Sequence, residues 1–192
     1  MGAGKRRLAI RLVFLATGTL NAWGLARPGF ADAQEAGLAA EGQAYPAGWT
    51  IRGGPVLSWG VWAAALTGGY NGTNRKDWGE HDHEEGGGAG LGVRVTRALG
   101  PPGTGAYGEA RLDLWFLSLD WRDGGDPGRT RVRVVQPMVG GGYGWARGVG
   151  FLRLGLALGL EINTGVRGEP VGEGPVLAVG LGLDLGVSAT PR

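Results

Sequence analysis

Apolar residues alternate with small or polar ones along most of the chain from residue 49 onward, and a period of two indicates β-strands with two different faces. The clearest case is Gly150–Asn163, where leucine or isoleucine fills the even positions from 152 to 162 and glycine, alanine or polar residues fill the odd ones. A helical step of about 100° would scatter those leucines around the whole surface. Pro175–Ser188 and Gly88–Leu99 repeat the pattern. The sequence therefore predicts an all-β fold.

Two longer segments change phase along their length. In Tyr107–Trp121 the apolar residues move from even-numbered to odd-numbered positions beyond Trp115. In Thr130–Arg147 they do the same beyond Val134. A β-bulge moves parity by one residue and explains each switch. A strand that leaves the apolar zone is the alternative explanation.

Trp49–Tyr70 predicts one long strand, because its apolar residues keep one parity from Trp49 to Ala65. A hairpin near Ser58–Gly60 is the alternative, although that stretch lacks a favourable turn pair. Counted as one strand, it brings the predicted number to six.

The predicted connections alternate between long and short, as they do in membrane β-barrels with long outer loops and short inner turns. In chain order they are Asn71–Gly87, Gly100–Gly105, Arg122–Arg129, Gly148–Val149 and Thr164–Gly174. We therefore predict a small closed antiparallel up-and-down transmembrane β-barrel of six to eight strands, with both termini at the short-turn end.

One face of each predicted strand is aliphatic, and the other carries glycine, alanine and a few charges. The second face would solvate an outer surface poorly but would fill a narrow lumen, so the aliphatic face is predicted to meet lipid. The predicted lipid-facing residues are Leu91, Val93, Leu112, Leu114, Leu152, Leu154, Leu156, Leu158, Leu160, Leu177, Val179, Leu181, Leu183 and Leu185.

The charged residues on the small-residue face include both signs, and an unpaired buried charge is costly. We therefore predict a salt-bridged polar network that plugs the lumen; a solvated sheet face is the alternative. The predicted members are Arg94, Glu109, Arg111, Asp113, Arg131, Arg133, Arg153, Glu161 and Asp184. Aromatic residues near segment ends predict interfacial girdles: Trp49, Tyr70, Trp115, Trp121, Tyr143 and Trp145.

Residues 1–33 have the pattern of a secretory signal peptide: a basic start, an apolar run over Leu12–Ala26 and a small-residue site at Ala31–Ala33. An uncleaved membrane anchor is the alternative. The expected divisions are signal peptide 1–33, flexible N-terminal arm 34–48, barrel 49–188 and C-terminal tail 189–192. The whole chain has a net charge of +2, but the leader holds five basic residues and one acid. The remaining chain therefore has a net charge of −2, which argues against nucleic-acid binding.

Composition limits the chemistry. Among 192 residues there are 42 glycines, no cysteine and two histidines. His81 and His83 lie in the acidic run 80–85, which we interpret as a solvated outer loop; as metal ligands they are weak candidates. With Asp82 or Glu84 they also form the one available general-base set for a lipid-modifying enzyme. No cofactor motif is recognised: the G-x-G-x-x-G of Gly103–Gly108 precedes a strand rather than a helix.

With its leader, its alternating loop lengths and strands such as LRLGLALGLEIN and VLAVGLGLDLG, the chain resembles the small Gram-negative outer-membrane barrels of the OmpA-transmembrane or opacity-protein type. The resemblance implies an outer-membrane protein that is not an enzyme and has a structural or surface-interaction role through its outer loops. Implied partners are outer-membrane lipid, lipopolysaccharide and the barrel-assembly machinery. The terminal Ala189–Arg192 departs from the aromatic ending such proteins often have. A lipid-modifying barrel enzyme and a secreted soluble barrel that binds an apolar ligand are the alternatives.

Overall fold

The computed structural model describes residues 35–76, 79–100, 104–147 and 150–186, all within the unit Ala33–Arg192. These residues form eight strands, each antiparallel to its neighbours in sequence, and β1 pairs with β8 to close a barrel. The strands are β1 (Glu35–Tyr45), β2 (Gly48–Trp59), β3 (Trp62–Lys76), β4 (His83–Ala98), β5 (Thr104–Asp123), β6 (Asp126–Arg147), β7 (Gly150–Arg167) and β8 (Gly174–Leu185). The predicted all-β, closed up-and-down fold is confirmed, with the strand number at the upper end of the range. The signal peptide 1–33 and the tail 189–192 lie outside the described residues.

The flexible arm predicted over 34–48 is wrong. From Glu35 this segment is strand β1, paired with β2 along its whole length and with β8 from Leu38 to Ala44. Its outer face carries mostly alanine, and the inner face carries Ala39, Glu41, Gln43 and Tyr45. The apolar alternation is therefore weak, and pairing to both neighbours makes it a strand.

Trp49–Tyr70 is two strands rather than one, so the hairpin alternative is correct. The chain turns at Gly60–Val61, with Trp59 paired to Trp62 on the two sides. Gly60 has φ of 53°, a left-handed conformation that glycine adopts without steric cost. The turn reverses which parity faces inward, so Ala63 and Ala65 point into the barrel while Leu57 points out.

No bulge between β5 and β6 accounts for the change from even to odd apolar positions in these two strands. The two strands keep one register from Thr104 opposite Trp145 to Asp123 opposite Asp126. Apolar residues move from the outer to the inner face because the strands rise beyond the apolar zone, which was the alternative explanation. A register shift does occur between Arg133 and Val134, but against β7, where Thr164 is the extra residue.

The barrel wall is uneven in height. β5 and β6 contain 20 and 22 residues, whereas β1 and β2 contain 11 and 12. We call the end with the 46–47, 77–82, 124–125 and 168–173 connections the loop end. The other end holds the remaining connections and both ends of the ring, and we call it the terminal end. Strands extend farther into the predicted loops than expected, since β3 continues to Lys76 and β4 begins at His83. No helix among the described residues is long and apolar enough to span a membrane.

Candidate functional site

The outer surface carries a belt of aliphatic side chains. Of the residues predicted to face lipid, eleven are exposed, and Leu152, Leu160 and Leu183 are half-buried on the same face. On β5 the outward positions are apolar from Ala106 to Phe116. At about 3.4 Å per residue and a tilt of about 40°, these ten steps span roughly 26 Å, close to the apolar band of outer-membrane barrels.

Glu41 on β1 lies inside the barrel, and its carboxylate pairs with arginines from four other strands. Its carboxylate contacts Arg52 at 3.1 Å, Arg94 at 3.0 Å and Arg153 at 3.4 Å, and it also pairs with Arg111. The Glu41 side chain is 6 % exposed, so these ion pairs are removed from water. Charge-assisted hydrogen bonds of this kind satisfy a buried carboxylate that would otherwise be costly.

Three further carboxylates balance the positive charge of the arginines that surround Glu41. Asp113 binds Arg52 at 2.8 Å, Asp184 binds Arg94 at 2.8 Å, and Glu109 contacts Arg153 at 3.3 Å. We call this set the lumen network; its described members are Glu41, Arg52, Arg94, Glu109, Arg111, Asp113, Arg153 and Asp184. Four arginines meet four carboxylates within these residues, so the lumen network is formally neutral.

Two of the predicted members are misplaced. Arg131 and Arg133 are exposed on the outer face of β6, because that strand keeps even positions inward along its whole length. Glu161 is buried but belongs to a separate cluster nearer the loop end. Sequence reasoning missed Glu41 and Arg52, since Glu41 fell in the predicted arm and the Trp49–Tyr70 pattern was followed through its apolar residues alone.

Glycines make room for the lumen network. A Cβ added at Gly182 would lie 2.5 Å from Nη2 of Arg153, and one at Gly92 would overlap Oδ1 of Asp113. A Cβ at Gly155 would overlap the hydroxyl of Tyr107. Glycine on the inner face therefore accommodates large polar side chains that arrive from neighbouring strands.

A second ion cluster lies toward the loop end. Arg75 donates to Glu84 at 2.9 Å and to Glu161 at 2.7 Å. The 168–173 connection folds into this cluster: Arg75 also donates to the Gly172 carbonyl at 2.8 Å, and the Gly172 amide donates to Glu84 at 3.0 Å. The connection therefore closes part of the barrel mouth.

Apolar side chains fill the interior beside that connection. We call them the apolar plug: Trp115, Leu117, Leu119, Val132, Val134 and Val171. Trp115 and Trp121 were predicted for the outer girdle, and this is wrong: Trp115 is buried, and Trp121 packs against the plug. Trp49 with Tyr70 lies on the outer surface, as does Tyr143, which contacts Trp145.

His81 fastens three connections together at the mouth. Its Nδ1 is 2.6 Å from Oδ2 of Asp123, its Nε2 is 2.9 Å from the Pro170 carbonyl oxygen, and its ring stacks on Trp121 at 4.1 Å. Asp82 adds hydrogen bonds to the same hairpin, with its amide donating to Asp123 and its carboxylate accepting from Gly124. We call this set the loop clasp.

Electrostatics favour the charged form of His81. Burial alone lowers its pKa, but the hydrogen bond and charge of Asp123 outweigh burial and raise the pKa above its ordinary value. The hydrogen bond from His81 in turn lowers the pKa of Asp123. Protonated imidazole donates from both nitrogens, which matches a carboxylate on one side and a carbonyl on the other.

The loop clasp leaves His81 without a free nitrogen for catalysis or metal binding. The predicted partners Asp82 and Glu84 accept hydrogen bonds from Gly124 and Arg75, and His81 pairs instead with Asp123, which lies outside the acidic run. His83 contacts Glu85 at 3.3 Å. Within the described ranges, no three histidine or carboxylate side chains converge on a point that would hold a metal ion.

Comparisons with known proteins locate the fold. No family model matches the chain, and no curated protein matches it. Among solved structures it is similar to Neisserial surface protein A, with 13 % identity, a TM-score of 0.51, and coverage of 80 % of this chain and 96 % of that one. It also matches the N-terminal β-barrel domain of Pseudomonas aeruginosa OprF, with 16 % identity, a TM-score of 0.46, and coverage of 79 % and 97 %. The barrel formed by residues 35–185 thus has the fold of Neisserial surface protein A, in agreement with the fold predicted from the sequence.

Proposed function

We propose that this protein is an exported outer-membrane barrel without enzymatic activity, and that its closed lumen leaves its role to the loop end, as a structural or surface-interaction protein. One observation carries the proposal: leucine and valine cover the outside, while four arginines and four carboxylates are buried inside the described barrel. A water-soluble barrel has the reverse arrangement, with its apolar side chains inside. In hydrocarbon every backbone group needs a partner, and a closed ring supplies one.

The filled interior supports a closed lumen. The lumen network lies on the terminal-end side of the apolar plug. The apolar plug and the 168–173 connection fill the barrel toward the loop end. We expect no stepwise conductance from the purified protein in planar lipid bilayers. Steps of porin size would contradict the closed lumen without affecting the membrane placement.

The proposed orientation rests on which connections lie at each end of the barrel. We place the loop end outside the cell and the terminal end in the periplasm, with outer-leaflet lipid, lipopolysaccharide and the barrel-assembly machinery as expected partners. The occupied nitrogens of His81 weigh against lipid modification by a histidine base, and the ion pairs and apolar plug inside the described barrel weigh against an apolar ligand there.

The absence of cysteine makes a clean test available. Asp126→Cys lies in the exposed β5–β6 hairpin at the loop end, and Val61→Cys lies in the exposed turn at the terminal end. On intact cells, a membrane-impermeant maleimide should label Asp126→Cys, and should label Val61→Cys only after the outer membrane is permeabilised. Equal labelling of the two variants on intact cells, or recovery of the protein as a detergent-free soluble monomer, would overturn the proposal.

A further inference from the structure

Three arginines cluster on the outer face of the barrel above the aliphatic belt. Arg131 on β6 is directly opposite Arg167 on β7, and Arg133 is two residues further along β6, toward the belt. All three side chains are exposed. Like charges directly opposite each other on one sheet face repel, so the cluster carries an electrostatic cost that a bound anion would relieve.

No carboxylate among the described residues relieves that cost. Within residues 35–76, 79–100, 104–147 and 150–186, none of the three arginines forms an ion pair with a carboxylate. Their neighbour Arg129 does: its Nη2 donates to Asp120 at 3.1 Å. The lumen arginines are paired as well. The three outer arginines therefore present concentrated positive charge to whatever lies outside the barrel.

The arginines border a groove whose edge nearest the aliphatic belt is apolar. The groove has a volume of about 610 Å³, and its lining includes Phe116, Val166, Gly87 and Gly165 together with the arginines. Phe116 is opposite Arg133 in the β5–β6 register, and it is 52 % exposed. The groove thus begins where the aliphatic belt ends.

Gly165 shapes the groove. A Cβ at this position would lie 2.7 Å from both Nε and Nη2 of Arg133, so the guanidinium lies across the backbone of β7. The register shift at Thr164 brings Gly165 opposite Arg133. The bulge therefore permits Arg133 to lie flat beside the groove.

We propose that this groove binds the phosphate-bearing headgroup of an outer-leaflet lipid, with Arg131, Arg133 and Arg167 contacting the phosphate and Phe116 contacting the acyl chains. Guanidinium groups match phosphate oxygens in charge and in planar donor geometry. Continuity with the belt favours a lipid over a free anion, because a free anion would leave Phe116 without a partner. This inference rests on the membrane placement proposed above.

The test uses the full barrel folded in neutral detergent micelles, with heat-modifiable gel mobility as the check of folding. Binding is measured for three probes: short-chain phosphatidic acid, short-chain phosphatidylcholine and inorganic phosphate. We expect phosphatidic acid to bind about tenfold more tightly than phosphatidylcholine, and inorganic phosphate to bind more weakly than phosphatidic acid.

A charge-matched pair of variants isolates the site. The triple variant Arg131→Gln, Arg133→Gln, Arg167→Gln should lose the preference for phosphatidic acid. The control Lys76→Gln, Arg122→Gln, Arg129→Gln removes as many positive charges from exposed loop-end positions and should keep the preference. Phe116→Ala should weaken lipid binding and leave inorganic phosphate unaffected.

The outcomes separate the two proposals. A chain that does not fold into micelles or bilayers contradicts the membrane placement. A folded barrel whose preference is absent, or survives in the triple variant, overturns the lipid site alone. Inorganic phosphate binding as tightly as phosphatidic acid overturns the choice of a lipid as occupant.

Discussion

Arg94 on β4 and Asp184 on β8 join opposite sides of the barrel. The Nη2 group of Arg94 donates to both carboxylate oxygens, at 2.8 and 3.1 Å, across 90 residues of sequence. Both side chains are nearly inaccessible to water. The contact therefore acts as a strut across the lumen, in addition to the backbone ladder around it.

Removing Arg94 leaves the lumen network with three arginines for four buried carboxylates, because Asp184 keeps Arg153 at 3.1 Å but loses Arg94. We expect Arg94→Leu to lower the free energy of unfolding by about 3–5 kcal/mol, the range for breaking a buried pair. Urea unfolding in lipid vesicles measures the change. Arg129→Leu breaks the exposed pair with Asp120 and should have little effect. Equal effects from the two variants would mean that the lumen is hydrated.

The outer belt can be tested at Leu156, which is 58 % exposed on β7. We expect Leu156→Arg to disfavour folding into bilayers by about 2–4 kcal/mol, because lipid near the midplane cannot solvate the charge. The matched control is Ala157→Ser, one residue along and facing inward, which should be mild. A mild effect of Leu156→Arg on bilayer folding would contradict the assignment of the outer face.

The inner glycines are expected to differ sharply from the outer ones. Gly182→Ala forces Arg153 to move, and we expect a loss of about 1–3 kcal/mol, typical of overpacking. At Gly68, on the exposed face, an added Cβ would be 3.8 Å from the nearest atom, so Gly68→Ala should be nearly neutral. Unfolding in vesicles compares the two, and a reversed order would refute the packing argument.

The loop clasp should respond to pH through His81. Because its folded pKa is raised above 6.5, its contribution to stability is complete below about pH 6.5 and is lost as pH rises through the folded value. The charges that raise the pKa are those of Asp123 and Glu84. Amide hydrogen exchange over 168–173 should therefore accelerate as pH rises, beyond the intrinsic chemical rate.

Two variants locate the cause of that pH response. His81→Gln should remove the extra acceleration, and His83→Gln, whose ring contacts Glu85 instead, should retain it. If the wild type and His81→Gln respond equally to pH, His81 does not control the clasp.

The strands that could be predicted are those whose alternation has strong contrast. β7 and β8 oppose leucine to glycine, and the leucines predicted to share one face lie together on the outer face of the barrel. β1 has alanine on its outer face, so its strand character depends on pairing with β2 and β8, which no local pattern reveals. The turn near Gly60 is only the alternative prediction, because the stretch lacks a familiar turn pair, although one glycine at positive φ is sufficient.

The polar sites failed for a different reason. Alternation tells which residues share a face, but not which face is inside once a strand rises above the belt. On β6, Val132 and Val134 point inward to the apolar plug, so Arg131 and Arg133 point outward. The Asp123 contact of His81 spans 42 residues and the whole of β4 and β5, and nothing in the spacing of the acidic run predicts it.

The lumen network also makes ring closure an electrostatic event. Glu41 is on β1 and Asp184 is on β8, the first and last strands in sequence, whose pairing closes the ring. The described members on β2, β4, β5 and β7 are four arginines and two carboxylates, an excess of two positive charges. An open sheet would hold Glu41 and Asp184 at its two opposite edges, whereas closure brings both carboxylates to Arg94, at 3.0 and 2.8 Å. The pairing of charges across the lumen therefore depends on the closed ring, which penalises a barrel left open.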